Sequence, residues 1–446
     1  MTVAALRERA WVPTLPDRAS RYFEPVEETM PRESLAAIQD DRLRELVPYV
    51  YERSALIRSL WDDAGVRPDD VLGADAFRAN TPLFGKDDLR RFRADRGDPF
   101  AGLLCVEPHE LKVLGSSSGT TGDPAPIPQQ PLGPLVRGMS RDQWEAGVRP
   151  GDRVAFTTFT ARSAHAIERF EQIGAIPIFL DTAGDERLLL DTARRFEPKV
   201  IYVLNNISIA RIAEIGEEAG IDPKEAFASV EAAMFGGEPM SERSRRLLAE
   251  WGLRAHNMTT LGDVTMAAEC RAAAGFHAWE DIVLVEHLDV GSSTPVAEGG
   301  RGELVVTSLT EWAAPLVRYR SGDLVEVNRS PCECGRTHAR FRVLGRVLDE
   351  MVVAGRSIIP ADLWGPIESV PATSDALFQI IRAGRNSDRI RLRVGRRNSG
   401  SDVSIAVDVA DAVRAALGIE ADVEVVANEE LLRLGPPHKI PRVSAT

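Results

Sequence analysis

The chain lacks what a membrane span, an oxidising compartment or a polyanion partner would ask for. No apolar run approaches the roughly 18 residues that cross a bilayer. Cysteine is scarce: four in 446 residues cannot build the disulfide framework of a secreted scaffold. Basic residues are outnumbered, 54 Lys and Arg against 67 Asp and Glu, for a formal charge of −13. That argues against a nucleic-acid surface as the main business. The opening residues "MTVAALRERAWVPTLPDR" carry charges inside their short apolar part, unlike a signal peptide. No internal repeat and no low-complexity run stands out. A cytoplasmic protein is expected. With 44% hydrophobic and 27% charged residues the composition is that of a globular protein, and the length predicts two or three domains, or a large one with a small one.

What is present changes character along the chain. Residues 1–110 read as mainly helical. "RLRELVPYVYERSALIRSLWDDAG" has apolar residues at helical spacing, is interrupted by Pro48, and ends at Gly65, a C-cap candidate. Short apolar runs follow at 153–159, 175–180, 200–204 and 232–235, with helical patterns "ERLLLDTARRF", "ISIARIAEIGEEAG" and "SERSRRLLAEWG" among them. Apolar strands alternating with helices predict α/β layers around a largely parallel sheet. From about 282, "IVLVEHLDV", "GELVVTSL" and "PLVRYRSGDLVEV" predict a β-subdomain. The last hundred residues, with "ALFQIIRA", "RIRLRVG", a helix "VADAVRAALG" and "ADVEVVA", predict a small α+β domain beyond a boundary near 343–350.

Five stretches carry chemistry. Ser116, Ser117, Ser118, Gly119, Thr120, Thr121 and Gly122 offer hydroxyls and backbone N–H groups that can cradle phosphate oxygens; the same composition suits a linker. No Gly-Lys-Ser/Thr follows, so this is no Walker loop. "FGGEPMSE" places Gly236 and Gly237 in a turn after a strand and Ser241 where it would cap the next helix; such junctions bind ligands or merely connect. In "RYRSGDL", Asp323 either accepts from a ribose diol or pairs with Arg318 or Arg320. Cys270, His277, Cys332 and Cys334 make a Cys3His set suited to structural Zn2+, with His338 as a substitute ligand; reduced cysteines and a surface histidine are the alternative. In "PPHKIPRV", Lys439 is either a tail lysine or a mobile cation for a developing negative charge.

In this order the pieces resemble the adenylate-forming superfamily, and within it the phenylacetate–CoA ligase-like family, over nearly the whole chain. "SSSGTTGDP" resembles its phosphate loop, "GGEP" (Gly236, Gly237, Glu238, Pro239) its adenine-contacting turn, and "APLVRYRSGDL" its ribose motif with Asp323. "GRVLDEMVVAGRSIIP", with Arg346, is similar to the interdomain hinge, and "HKIPRV" to the motif whose lysine, here Lys439, serves adenylation. The resemblance implies an adenylation domain over 1–343 holding ATP and acid, and a mobile C-terminal α+β domain over 344–446 carrying Lys439. It implies ATP and Mg2+, CoA as co-substrate, and zinc as known in some members. It also places the acid near "FTTFTARSAH", with Phe159, Arg162 and His165 as pocket candidates.

Three departures stand out. The phosphate-loop lysine is Asp123. The family's Tyr-Gly-Met-Thr-Glu aligns with His256-Asn257-Met258-Thr259-Thr260, so His256 takes the stacking position and Thr260 supplies no carboxylate, leaving Asp263 for Mg2+. The hinge aspartate aligns with Leu348, followed by Asp349. The expected reaction is activation of a small aromatic carboxylic acid to an acyl adenylate, then transfer to CoA. An amine acceptor, nitrite activation in a specialised biosynthetic step, and a nucleotide-binding protein with a degenerate site are the alternatives. The expected partner is the acid itself, with no nucleic acid and no membrane; a homodimer is left open.

Overall fold

The computed structural model describes residues 15–116, 126–130, 133–157, 166–180, 185–382, 384, 386–396, 401–434 and 440–444. The N-terminal region is helical: α1 Pro25–Thr29, α2 Arg32–Arg53, α3 Ala55–Asp63, α4 Ala74–Asn80 and α5 Lys86–Arg96. Pro48 does not break its helix. α2 runs through it, burying Leu46, Val47 and Val50 on one face, and that burial outweighs the one lost backbone bond. The break falls at Ser54, whose Oγ accepts from the Ile57 amide and caps α3.

A hairpin of β1 Val113–Ser116 and β2 Pro126–Gln129 leads into α6 Pro134–Ala146. Then come β3 Arg153–Phe156, α7 Ala166–Ile173, β4 Ile176–Phe179, α8 Glu186–Phe196, β5 Val200–Leu204, α9 Asn206–Ala219, α10 Pro223–Ala226, β6 Ala232–Phe235, α11 Glu242–Glu250, β7 Arg254–Leu261 and β8 Thr265–Ala268. They form a six-stranded sheet in the order β4-β3-β5-β6-β7-β8. All its pairs are parallel except β7–β8. Both faces are covered, which is why "VIYVL" and "AAMF" are continuous apolar runs. One face packs Leu189, Leu190, Ile209, Ile212 and Leu248 of α8, α9 and α11. The other packs Met139 and Trp144 of α6 and Phe170 of α7 against Phe156, Tyr202, Met234 and Met258.

The β-subdomain is an antiparallel sheet of β9 Phe276–His277, β10 Val283–Leu288, β11 Gly302–Ser308, β12 Tyr319–Asn328 and β13 Arg340–Arg346, ordered β10-β11-β12-β13-β9. Its core is shared with the N-terminal helices through Trp61, Phe77, Phe84 and Tyr319. After it come β14 Met351–Val353, β15 Arg356–Ile358, α12 Pro360–Glu368, β16 Phe378–Ile381, β17 Asn386–Ser387, β18 Arg389–Arg396, α13 Asp402–Leu417, β19 Glu420–Ala427, α14 Asn428–Leu432 and β20 Val443–Ser444. These elements collect a core of their own around Trp364, Phe378, Leu392 and Val409. Among the described residues no helix is long and apolar enough to cross a membrane.

Candidate functional site

The glycine turn lies where the parallel strand β6 ends. β6 stops at Phe235 and the chain turns through Gly236 and Gly237. A Cβ on Gly236 would lie 3.0 Å from the Met258 carbonyl, and Gly237 has φ +96°, so the turn needs both glycines. Ser241 caps α11 as expected, accepting from the Ser244 amide. Asn206, the first residue of α9, braces the turn. Its Nδ2 donates to Glu238 Oε1 and the Pro239 carbonyl, both at 2.9 Å, and its Oδ1 accepts from the Ser241 amide at 2.9 Å.

Asp323 pairs with neither Arg318 nor Arg320. Arg318 is committed to Glu286 in a buried two-point bond, and Arg320 to Glu303. The partner of Asp323 is Arg346 at 3.1 Å, its cross-strand neighbour on β13. Burial raises the Asp323 carboxyl; Arg346 opposes that, and the nearby Asp263 charge adds to it. Asp263 sits in a left-handed turn (φ +62°) with Lys86 at 3.6 Å. Thr260, one strand position from Leu261, is exposed. His256 is only 3% exposed, beneath the strand ends against α6, where burial first and then Arg254 and Arg336 lower its imidazole to about 3.

The C-terminal motif arrives from the other side. β20 pairs with β16, and Arg442, just before it, reaches across to Glu238 at 2.7 Å. The guanidinium also donates to the Ala376 carbonyl and lies 4.3 Å over the Trp364 ring. The tail is therefore tied to the glycine turn, three residues beyond Lys439. Asn206 and Arg442 were not singled out in the sequence; Arg442 stood inside a motif already quoted, whereas Asn206 had only a helix-start signal. Ser117 to Gly122, Asp123, Phe159, Arg162, His165 and Lys439 lie outside the described residues.

Cys270, His277, Cys332 and Cys334 converge: their ligand atoms all lie within 4.8 Å of one another, and all four residues are buried. Cys270 Sγ is 3.6 Å from Cys332 Sγ, and Cys334 Sγ is 3.3 Å from His277 Nε2. A Zn2+ about 2.3 Å from each sulfur sets sulfur–sulfur edges of about 3.8 Å, so the donors fit a tetrahedral ion. The Cys334 thiol is held low by its bond from Cys270, and the Cys270 thiol is correspondingly raised. Arg336 backs the cluster. Its amide donates to Cys334 Sγ, and its side chain is pinned by Glu28 (2.7 Å) and Glu145 (2.8 Å). His338 is not a substitute ligand. Its Nδ1 accepts from the Glu280 amide and its Nε2 lies 3.0 Å from the Glu27 carbonyl.

No protein-family model matches the chain. A phenylacetate–coenzyme A ligase of Thermus thermophilus is 32% identical over 385 residues, covering 83% of this chain and 84% of that protein. One from Escherichia coli K12 is 28% identical over 394 residues, covering 86% and 84%. In fold, the chain matches a 2-hydroxyisobutyryl-CoA ligase in its postadenylation state with a TM-score of 0.84 at 24% identity, over 97% of this chain and 94% of that one. With that relative identity and coverage, the chain belongs to the phenylacetate–coenzyme A ligase family of adenylate-forming enzymes.

Proposed function

We propose that the protein is an ATP-dependent acid–CoA ligase acting on a small aromatic carboxylic acid. A carboxylate oxygen attacks the α-phosphorus of ATP and pyrophosphate leaves; the CoA thiol then attacks the acyl carbonyl and AMP leaves. The observation that carries this reading is the kinship with phenylacetate–CoA ligases over 83% of the chain. The bond from Arg442 of the C-terminal motif to Glu238 of the glycine turn, at the end of a parallel strand, supports it.

The residues divide the work. Ser117, Ser118, Gly119, Thr120, Thr121 and Gly122 hold phosphate oxygens, and Gly236 to Pro239 form the adenine wall. Asp323, freed in part from Arg346, accepts from the ribose hydroxyls. His256 supports that wall from beneath. Lys439 sits between the α-phosphate and the acid carboxylate, and Phe159, Arg162 and His165 line the acid's entrance. Mg2+, held through phosphates and one or two carboxylates, would spread the phosphate charge; Asp263 is the carboxylate placed for it. Zn2+ held by Cys270, His277, Cys332 and Cys334 would cross-link β8, β9 and the 332–334 turn without touching the reaction. Residues 1–343 form the adenylation unit. Residues 344–446 turn about the segment near Arg346 between the two half-reactions.

The test is pyrophosphate release with ATP, Mg2+ and a panel of aryl acids, with and without CoA. Acid-dependent release is expected from the wild type and its loss from Lys439→Ala.

A further inference from the structure

Residues 20–32, which contain α1, lie as a strap between the Cys3His cluster and α6. The strap grips the cluster side through Cys334 and the residues that follow it. Tyr22 Oη donates to the Cys334 carbonyl at 2.7 Å. Arg336 Nε donates to Glu28 Oε2 at 2.7 Å, and Glu28 is fully buried. Thr337 Oγ1 donates to the Met30 carbonyl at 2.7 Å, and its own carbonyl accepts from Arg32. His338 Nε2 donates to the Glu27 carbonyl at 3.0 Å. Other strap residues grip α6. Glu24 accepts from Arg137 at 2.8 Å and from Arg141 at 2.7 Å, and the Ser20 carbonyl accepts from Trp144 at 3.1 Å.

Arg336 stands where cluster, strap and α6 meet. Its amide donates to Cys334 Sγ at 3.4 Å, and its Nη1 lies 3.9 Å from the same sulfur. Its Nη2 holds Glu145 of α6 at 2.8 Å, and its guanidinium lies 5.1 Å from the centre of the Tyr22 ring. Glu28 completes the link. Its Oε1 accepts from the Glu24 amide at 2.9 Å, at the start of α1, while its Oε2 takes Arg336. Gly335, between Cys334 and Arg336, has φ +86°, and a Cβ there would lie 2.6 Å from Tyr22 Oη. The turn beneath the strap therefore needs its glycine twice over. Three thiolates around Zn2+ leave net negative charge in a buried place, and buried Arg336 is a counter-charge beside it. Without the metal, Cys332 and Cys334 lose their cross-link to Cys270 and His277, and the strap's anchors at 334–338 lose their frame.

We propose that Arg336 is a positioning residue that couples metal binding to docking of the strap, so that filling the Cys3His set and seating residues 20–32 on α6 are one event. This rests on the zinc assignment and not on the acid. Groups that hold a metal's ligands in place commonly set its affinity by about 10- to 100-fold. Coupling between two sites is reciprocal. If Zn2+ steadies the strap by some factor, the intact strap tightens Zn2+ by that same factor. A strap that is merely packed would be indifferent to the metal, and the metal to it.

Full-length protein loaded with Zn2+ tests the coupling through two readouts: amide hydrogen exchange over 20–32, and zinc affinity in competition with a chromophoric chelator. Removing the metal with a strong chelator should speed exchange over 20–32 at least about tenfold, while β5 and β6 keep their protection. Glu28→Gln and Tyr22→Phe, which sit in the strap rather than among the ligands, should weaken Zn2+ binding. Arg336→Met should weaken it by about 10- to 100-fold. Arg336→Lys should restore part of that affinity, since it keeps the charge and loses the fork. If the metal-free chain unfolds as a whole, the zinc-loaded variants decide. Faster exchange over 20–32 together with weaker zinc in Glu28→Gln then supports the coupling, and a wild-type value in either overturns it. Strap exchange that ignores metal removal, or wild-type zinc affinity in Glu28→Gln or Arg336→Met, would also overturn it. A chain that takes up no Zn2+ ends the zinc assignment and the coupling with it. A chain that binds Zn2+ yet leaves the strap unmoved ends the coupling alone, and neither result bears on acid activation.

Discussion

Replacing Arg442 by Met should slow the first half-reaction and spare the second. The Arg442–Glu238 bond is 2.7 Å long between side chains only 10% and 5% exposed. Glu238 belongs to the glycine turn, whereas Arg442 belongs to the sheet that carries the C-terminal motif. The other contacts of Arg442, to the carbonyls of Ala376 and Phe378 and the ring of Trp364, lie within residues 344–446. Under the proposed rotation of that unit they stay the same. If the unit turns as proposed, the Glu238 bond is the contact of Arg442 that one orientation keeps and the other loses, together with the Arg243–Asp375 pair and the Glu242 amide bond to Glu368 between the same two units. A hydrogen bond between charged groups contributes about 1.5–3 kcal/mol, which corresponds to about 10- to 150-fold in rate. Pyrophosphate release from ATP and acid should fall by that factor. Thioester formation from a supplied acyl adenylate should stay within about twofold. Glu238→Gln, which keeps a hydrogen bond but not the charge, should do the same more weakly. Equal loss in both half-reactions, or none in either, would refute the reasoning.

Other outcomes follow from the buried charges. Asp281→Ala leaves the fully buried Arg141 with Glu24 as its remaining carboxylate partner and should cost about 3 kcal/mol, seen as a lower melting temperature. Burial alone would raise the Asp281 carboxyl, but the Arg141 bonds and charge outweigh it and hold it far below the usual range. A depressed carboxyl stabilises above the unfolded value near pH 4 and loses that contribution as pH falls below it, so the acid side of the wild-type profile should be shallower in Asp281→Ala. Glu311 behaves oppositely. Burial raises it to about 7, against the backbone donors of 312–314. Stability should therefore decline from about pH 4 to 7, by at most roughly 3 kcal/mol, and Glu311→Gln should flatten that slope. Purified protein should carry about one zinc per chain, with Cys334→Ser and strong chelators lowering both metal content and melting temperature; a metal-free protein of unchanged stability would dismiss the site.

Much of the layered sheet is readable before any coordinates. Val200–Leu204, Ala232–Phe235 and Glu186–Phe196 stand out because strands buried on both faces must be apolar throughout, and the helices between them bear one apolar stripe. α13 begins at Asp402, earlier than its pattern suggests. Ile405, Val409 and Val413 share its buried face, while exposed Val403 and Val407 blur the period. The two-residue strands β9, β17 and β20 exist only through their pairing partners. The site divides the same way. The motifs, the zinc-type donors and the Ser241 cap are local patterns. Arg442 and Glu238 are 204 residues apart, and that pair leaves no periodic trace.

The central claim is acid activation, and the most direct measurement is pyrophosphate release by the intact enzyme with ATP, Mg2+ and the aryl-acid panel. The account predicts release that depends on the acid, falls at least about 100-fold in Lys439→Ala, and yields a CoA thioester once CoA is added. A folded, ATP-binding protein that releases no pyrophosphate with any acid would contradict it.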